Sequence, residues 1–187
     1  GFIGVGGMGN ANLGGFLGFR EVEVVAVCDC DRRNLEATQK RVQDHYRASR
    51  PDLNYKGCDT YSDFRELLAR PDIDAVCIAT PDHWHAPMAI DALENNVHVY
   101  VEKPMANSFY EVELMMAAAK KFGVVTQMGN QGHSSDSVYE VAEVVQSGCL
   151  GTVRELHVWT NRPIWRQGMA KPLKEVKIPG TLDWDAF

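Results

Sequence analysis

The sequence predicts an α/β chain, a parallel sheet covered by helices on both faces, followed from about residue 136 by the start of a second sheet of a different kind. Three observations carry this expectation. Apolar runs of strand length alternate with segments of helical period over roughly the first 130 residues. The run VHVYV at residues 97–101 is apolar and β-branched, as a buried strand should be. By contrast TVRELHVWT, residues 152–160, alternates as a half-exposed strand does.

Taken in order, GFI opens the chain as a strand and EVVAV, ending at Val27, supplies a second. NLEATQKRVQDHY has the content of a helix, NYKGC is a short strand-like run, FRELLA is a helical segment and DAVCIAT is a strand. HAPMAIDALENN then reads as a helix stopping near Asn95 and Asn96, before VHVYV. YEVELMMAAAKKFG is a helix with a glycine stop at Gly123, and VVTQMG is the next strand. Leu114, Met115 and Met116 are expected to pack in the core, and Trp84 reads as a packing aromatic rather than a substrate platform. Beyond these, SVYEVAEVVQSG is an amphipathic helix closed by Gly148. The remainder from Asn161 holds three prolines and no sustained period, so it reads as an extended loop. The expected domains are therefore residues 1–130 and the beginning of a second domain at 131–187.

A chain of 187 residues buries a real core. Its 19 Lys and Arg against 25 Asp and Glu give a net charge of −6, which argues against a phosphodiester-backbone partner, so no nucleic acid is expected. No apolar stretch approaches the roughly 18 residues of a membrane span. No leader pattern opens the chain, which favours the cytoplasm, but the first residues already read as the middle of a strand, so export behind a lost leader stays open. The five cysteines stand mostly in apolar strand-like surroundings and read as reduced thiols. Cys28 and Cys30 have no second pair at metal-site spacing.

Directly after the first strand, Gly4-Val5-Gly6-Gly7-Met8-Gly9 satisfies G-x-G-x-x-G. The first glycine permits a tight turn, the second lets the backbone approach a pyrophosphate, and the third allows close packing of helix on strand. The helix that follows would aim its N-terminal amides at the phosphates. The second strand ends in VAVCD, which places Asp29 twenty residues after Gly9, where a carboxylate takes the adenine-ribose hydroxyls. Asp29 repels a ribose phosphate, so NAD is the expected cofactor; Arg32 and Arg33 close behind keep NADP open.

Ligands of an open parallel sheet sit beyond the carboxyl ends of its strands. There the chain places Ala79-Thr80-Pro81-Asp82-His83-Trp84-His85, then Glu102-Lys103-Pro104, then Gly129-Asn130-Gln131-Gly132-His133. His83 and His85 lack a third ligand at convincing spacing, so a hydrogen-bonding pair is the simpler reading and no metal is expected.

Glycine loop, ATPDHWH and VEKP, in this order and spacing, resemble the glucose-fructose oxidoreductase, inositol dehydrogenase and MocA (Gfo/Idh/MocA) family over nearly the whole chain. The resemblance implies a Rossmann doubly wound parallel sheet followed by a largely antiparallel α+β domain. It implies oxidation or reduction of a sugar or cyclitol carbon with NAD(P), and a homo-oligomeric full-length parent. It also implies that Lys103 is the catalytic lysine beside the nicotinamide, that Thr80, Pro81, His83 and His85 line the cofactor path, and that Glu102 lies in the cofactor cleft. Asn130 and Gln131 fall where family members contact the nicotinamide side, although the local motif departs from the more usual arginine-bearing form. The family's further Asp-x-x-x-His element does not occur in these 187 residues, which leaves His133 as a candidate substitute acid/base and the fragment expected to bind without necessarily turning over. Arg162, Trp165 and Arg166 are residue types suited to polyol hydroxyls and ring faces.

An ammonium suits the chemistry, because hydride leaving an alcohol carbon requires a proton to leave its oxygen, and Lys103 can polarise that oxygen. Three functions remain distinct at this point. One is a dehydrogenase of sugar- or polyol-like alcohols; another is an NAD-dependent glycoside hydrolase or lyase using transient oxidation; the third is a non-catalytic nucleotide-sensing module.

Overall fold

The computed structural model describes residues 1–161 and 175–187. Strands β1 (Phe2–Ile3), β2 (Ala26–Cys28), β3 (Asp59–Tyr61), β4 (Ala75–Ile78), β5 (His98–Glu102) and β6 (Thr126–Gly129) form one six-stranded sheet in the order β3-β2-β1-β4-β5-β6. Every pairing is parallel. The helices are α1 (Gly7–Phe16), α2 (Arg32–Ser49), α3 (Phe64–Leu68), α4 (His85–Glu94), α5 (Phe109–Phe122) and α6 (Asp136–Gln146).

Successive strand residues point to opposite faces, and both faces are apolar. Phe2, Val27 and Cys77 enter one buried cluster with Leu13, Leu35, Val42 and Tyr46 of α1 and α2. Their neighbours Ile3, Ala26, Cys28, Val76 and Ile78 enter the other, against α3, α4 and α5. The expected doubly wound sheet is thus the one observed. Strand order reverses between β1 and β4, and a crevice opens beyond their carboxyl ends.

Three of the six helices start on a side chain that accepts an otherwise orphaned amide. Asp31 caps α2 through Arg33 N, Asp63 caps α3 through Arg65 N, and Ser108 caps α5 through Glu111 N. The predicted glycine stop of α5 is Gly123, at φ 67°.

Several expectations change. β3 forms at Asp59–Tyr61, just beyond the NYKGC run; it is an edge strand with exposed residues and so carries little apolar signal. Of the three α5 side chains expected in the core, Met115 is buried whereas Leu114 and Met116 are exposed. TVRELHVWT forms no strand in the structure, although its alternation suits one. Alternation describes a side-chain pattern, and a strand also needs a partner to bond to. Arg162, Trp165 and Arg166 lie outside the described residues.

The chain divides into two compact units, Gly1–Gly129 with Ile178–Phe187, and Asn130–Lys177. Residues 178–187, expected in a second domain, therefore belong with the sheet. Arg32 N donates to Thr181 O at 2.9 Å, Asp183 N donates to Cys30 O at 2.9 Å, and Asp31 and Leu182 form an antiparallel bridge.

Candidate cofactor-binding and active site

Beyond the carboxyl ends of β1, β2 and β4 lies a cleft of about 550 Å³, within the range that cofactor sites occupy. Gly4, Gly6, Asp29, Thr80 and Pro81, all expected from the sequence to bind cofactor, line it.

The glycines of the loop divide into two kinds. Gly4 has φ 80°, and a Cβ there would sit 2.7 Å from Thr80 N. A Cβ on Gly9 would collide with the Gly4 carbonyl. These two glycines let α1 and β4 close on β1. A Cβ on Gly6 would meet only Asn34 Nδ2 at 3.9 Å, and one on Gly7 would meet nothing within 4 Å, so this stretch faces open space. Unlike α2, α3 and α5, α1 begins at Gly6 with no side-chain cap. Its first amides, at the positive end of the helix, are therefore left for an acceptor from the cleft, and a dinucleotide diphosphate fits that requirement. Met8, also expected at this loop, is substantially exposed at the start of α1.

Asp29 is fixed at the rim of the loop. Its Oδ2 accepts from Val5 N at 2.8 Å, and its Oδ1 accepts from Asp31 N at 2.8 Å and Asn34 Nδ2 at 3.2 Å. An ionised carboxylate has about four acceptor sites, so the side chain is pre-oriented and still able to take a ribose hydroxyl. Arg32, expected near the cofactor, does not line the cleft; its exposed side chain stands 3.8 Å from Glu36 on the next turn of α2. Arg33 is engaged with Asp31, its Nη2 donating at 2.6 Å.

Of the ATPDHWH loop, Thr80, Pro81 and Trp84 line the cleft. His83 is exposed, with Nε2 3.3 Å from Phe187 O. His85 is 1% exposed and lies outside the cleft. Its ring nitrogens stand 2.6 Å from Pro104 O and 2.9 Å from Thr80 O, so it ties the loop after β4 to the loop after β5. Glu102 likewise does not line the cleft: it is 3% exposed, and its Oε1 accepts from Asn12 Nδ2 of α1 at 2.9 Å while its Oε2 accepts from Lys103 N at 3.2 Å. A Cβ on Gly129 would lie 2.7 Å from Glu102 Oε1, so the neighbouring strand leaves room for this carboxylate. Counting by two from Tyr100, which packs on the α1 side, already places Glu102 on that face. Lys103 has the opposite parity and is exposed beyond the end of β5; its bond to Pro104 is cis.

Asn130, Gln131 and His133 belong to the second unit, where His133 N donates to Asn130 O at 3.0 Å across a short 3-10 turn at Gln131–Ser134. Sequence reasoning missed several lining residues, among them Ser62, Asp63, Asp183, Asp185 and Phe187. Ser62 and Asp63 follow β3, which lies just beyond the NYKGC run that the sequence pattern points to. The other three come from a segment without any periodic signal.

Burial pushes Cys28 and Cys58 up to about 12 and Cys77 up to about 11. All five cysteines are free. Among the described residues, no three His, Cys, Asp or Glu side chains are grouped as a metal site, and no helix is long and apolar enough to cross a membrane.

A doubly wound parallel sheet whose switch point carries an uncapped glycine loop facing a strand-end aspartate defines a dinucleotide-binding Rossmann domain. The comparisons with known proteins agree. The chain belongs to the GFO_IDH_MocA oxidoreductase family, whose NAD-binding Rossmann-fold profile matches residues 1–130. It is 36% identical over 152 residues to a glycosyl hydrolase family 109 protein of Shewanella woodyi, covering 81% of this chain and 32% of that protein. It is 34% identical to an alpha-N-acetylgalactosaminidase of Shewanella oneidensis, with the same coverage of each. Among solved structures, myo-inositol 2-dehydrogenase of Lactobacillus plantarum superimposes with a TM-score of 0.69 at 25% identity, covering 81% of this chain and 42% of that one. Scyllo-inositol dehydrogenase of Lactobacillus casei, crystallised with NAD(H) and scyllo-inositol, shares the fold with a TM-score of 0.67 at 20% identity, over 80% of this chain and 41% of that one. The chain spans about a third of the length of the curated relatives it matches.

Proposed function

We propose that this protein carries out nicotinamide-dependent hydride transfer at an alcohol or ketone carbon of a sugar- or polyol-like substrate, with Lys103 as the group that polarises the reacting oxygen. The observation that carries this reading is the pairing of an uncapped α1 N-terminus and Asp29 on one side of the switch point with the β5 end, Glu102-Lys103, on the other. NAD, when bound, supplies the hydride acceptor or donor. The chain's own contribution is to hold and to polarise. The amides of Gly6, Gly7 and Met8 receive the diphosphate, Asp29 takes the adenine ribose, and Thr80 and Pro81 wall the path between them. The Lys103 ammonium donates to the substrate oxygen and stabilises the charge that grows there as its proton leaves. From the sequence alone, Asn130 and Gln131 are proposed for the nicotinamide side and His133 for proton transfer.

A second reading has a specific observation behind it. The relatives at 34–36% identity are named glycosyl hydrolase family 109 protein and alpha-N-acetylgalactosaminidase; in this reading the hydride is returned to the substrate within one turnover, giving net hydrolysis. One experiment separates the two. The intact protein is mixed with NAD and a panel of cyclitols, free sugars and aryl glycosides, and absorbance of the reduced nicotinamide is followed beside aglycone release. Accumulation of NADH identifies a dehydrogenase. Aglycone release without NADH identifies the redox-neutral hydrolase, and neither signal with any member of the panel counts against both.

A further inference from the structure

One wall of the cleft comes from far down the chain. Residues 181–183 run antiparallel to the turn that joins β2 to α2, through the bonds from Arg32 N to Thr181 O and from Asp183 N to Cys30 O. Asp183 Oδ1 then accepts from Asp185 N at 3.1 Å and Ala186 N at 3.2 Å, which turns the segment. Its far end is held from the β4 side, where Trp84 Nε1 donates to Phe187 O at 2.9 Å. The segment is thus fastened to the elements that follow two different strands. Asp183, Asp185 and Phe187 line the same cleft as Gly6 and Asp29.

The charge of this wall is one-sided. Four carboxylates line the cleft, those of Asp29, Asp63, Asp183 and Asp185, against a single guanidinium, that of Arg65. Arg65 is already committed, at 3.3 Å to Asp63 and 3.9 Å to Asp91. The two arginines that follow Asp29 are engaged with Glu36 and Asp31.

We propose that Ile178–Phe187 completes the adenosine seat and sets the choice of dinucleotide, Asp183 and Asp185 excluding a ribose 2′-phosphate and Phe187 giving the adenine an apolar wall. This rests on the dinucleotide reading above and deepens it. Neutral ribose hydroxyls meet the carboxylates as hydrogen-bond donors, whereas a phosphate dianion meets four like charges with no uncommitted cation among them. The selectivity is therefore built from two stretches of sequence, of which only the first follows β2.

The test titrates NADH and NADPH by fluorescence against the intact protein and its Asp185→Asn, Asp185→Lys and Asp183→Asn variants. The Asp185 side chain forms no hydrogen bond or ion pair with the described residues, so its variants keep the fold. Asn at 183 keeps an acceptor for the two amides. Relative to wild type, affinity for NADPH over NADH should rise by about tenfold in Asp185→Lys and by less in the two Asn variants. The gain should shrink when the ionic strength is raised to about 0.5 M. An unchanged ratio in variants that melt like wild type overturns the assignment of the wall while leaving NADH binding in place. A wild-type protein that binds neither nucleotide overturns the dinucleotide reading, and this proposal with it.

Discussion

The role proposed for Lys103 asks a flexible side chain to be held in one place, and the residues around it show how its backbone is held. The buried Glu102 carboxylate accepts from Lys103 N on one side and from Asn12 of α1 on the other, while His85 ties the carbonyl of Pro104 to that of Thr80. His85→Ala leaves these carbonyls without their imidazole partner, and should lower unfolding free energy by about 1–3 kcal/mol in urea titrations. The glycine loop offers a sharper contrast at the same scale. Gly9→Ala should destabilise by about 1–3 kcal/mol, because its new methyl strikes the Gly4 carbonyl. Gly7→Ala meets open space and should change stability by less than about 1 kcal/mol. Equal effects of the two substitutions on the urea midpoint would mean that the close approach of helix to strand is not as described.

At the scale of elements, α2 is set by Asp31, which caps the helix and lies at the bridge to Leu182. Hydrogen bonds from Arg33 hold the Asp31 carboxyl well below its ordinary range, at about 2. A carboxyl depressed in the folded state contributes stability that is fully present above its unfolded value of about 3.9. That contribution is lost as pH falls through about 2. Asp31→Ala should therefore lower the melting midpoint at pH 7, and the difference from wild type should close between about pH 4 and pH 2. A difference independent of pH would place the effect elsewhere. The same scale shows what was legible in the sequence. VHVYV and DAVCIAT were readable because both faces of a central parallel strand are apolar, and the helix ends at Gly123 because glycine takes positive φ there. Residues 178–187 were not, since their partners at Cys30, Arg32 and Trp84 are roughly a hundred residues or more away and no local period encodes such a contact. The family resemblance implies that Glu102 and His85 face the cofactor, and the side chains themselves do not line the cleft. Parity along β5 turns the first beneath α1, and burial at the start of α4 turns the second toward two carbonyls.

For the whole molecule, strand order decides where function is placed: the single reversal between β1 and β4 brings the glycine loop, Asp29 and the ATPDHWH loop to one crevice. In and beside the sheet around that crevice stand Cys28, Cys77 and Cys58, whose burial raises them to between about 11 and about 12. A thiol raised in the folded state contributes stability that is fully present below its unfolded value of about 8.5 and lost as pH rises through the folded value. Melting midpoints should accordingly fall from about pH 9 upward, and at pH 8 a thiol reagent should modify the exposed Cys149 in the native protein while reaching the three buried thiols only on unfolding. Rapid native labelling of Cys28 or Cys77 would contradict the packing of the sheet. The most direct test of the account is a crystal structure of the intact protein with NAD(H) bound. Diphosphate oxygens are expected within hydrogen-bond distance of the amides at the start of α1, with the Lys103 ammonium beside the nicotinamide. A diphosphate seated away from that loop, or a nicotinamide remote from Lys103, would contradict it.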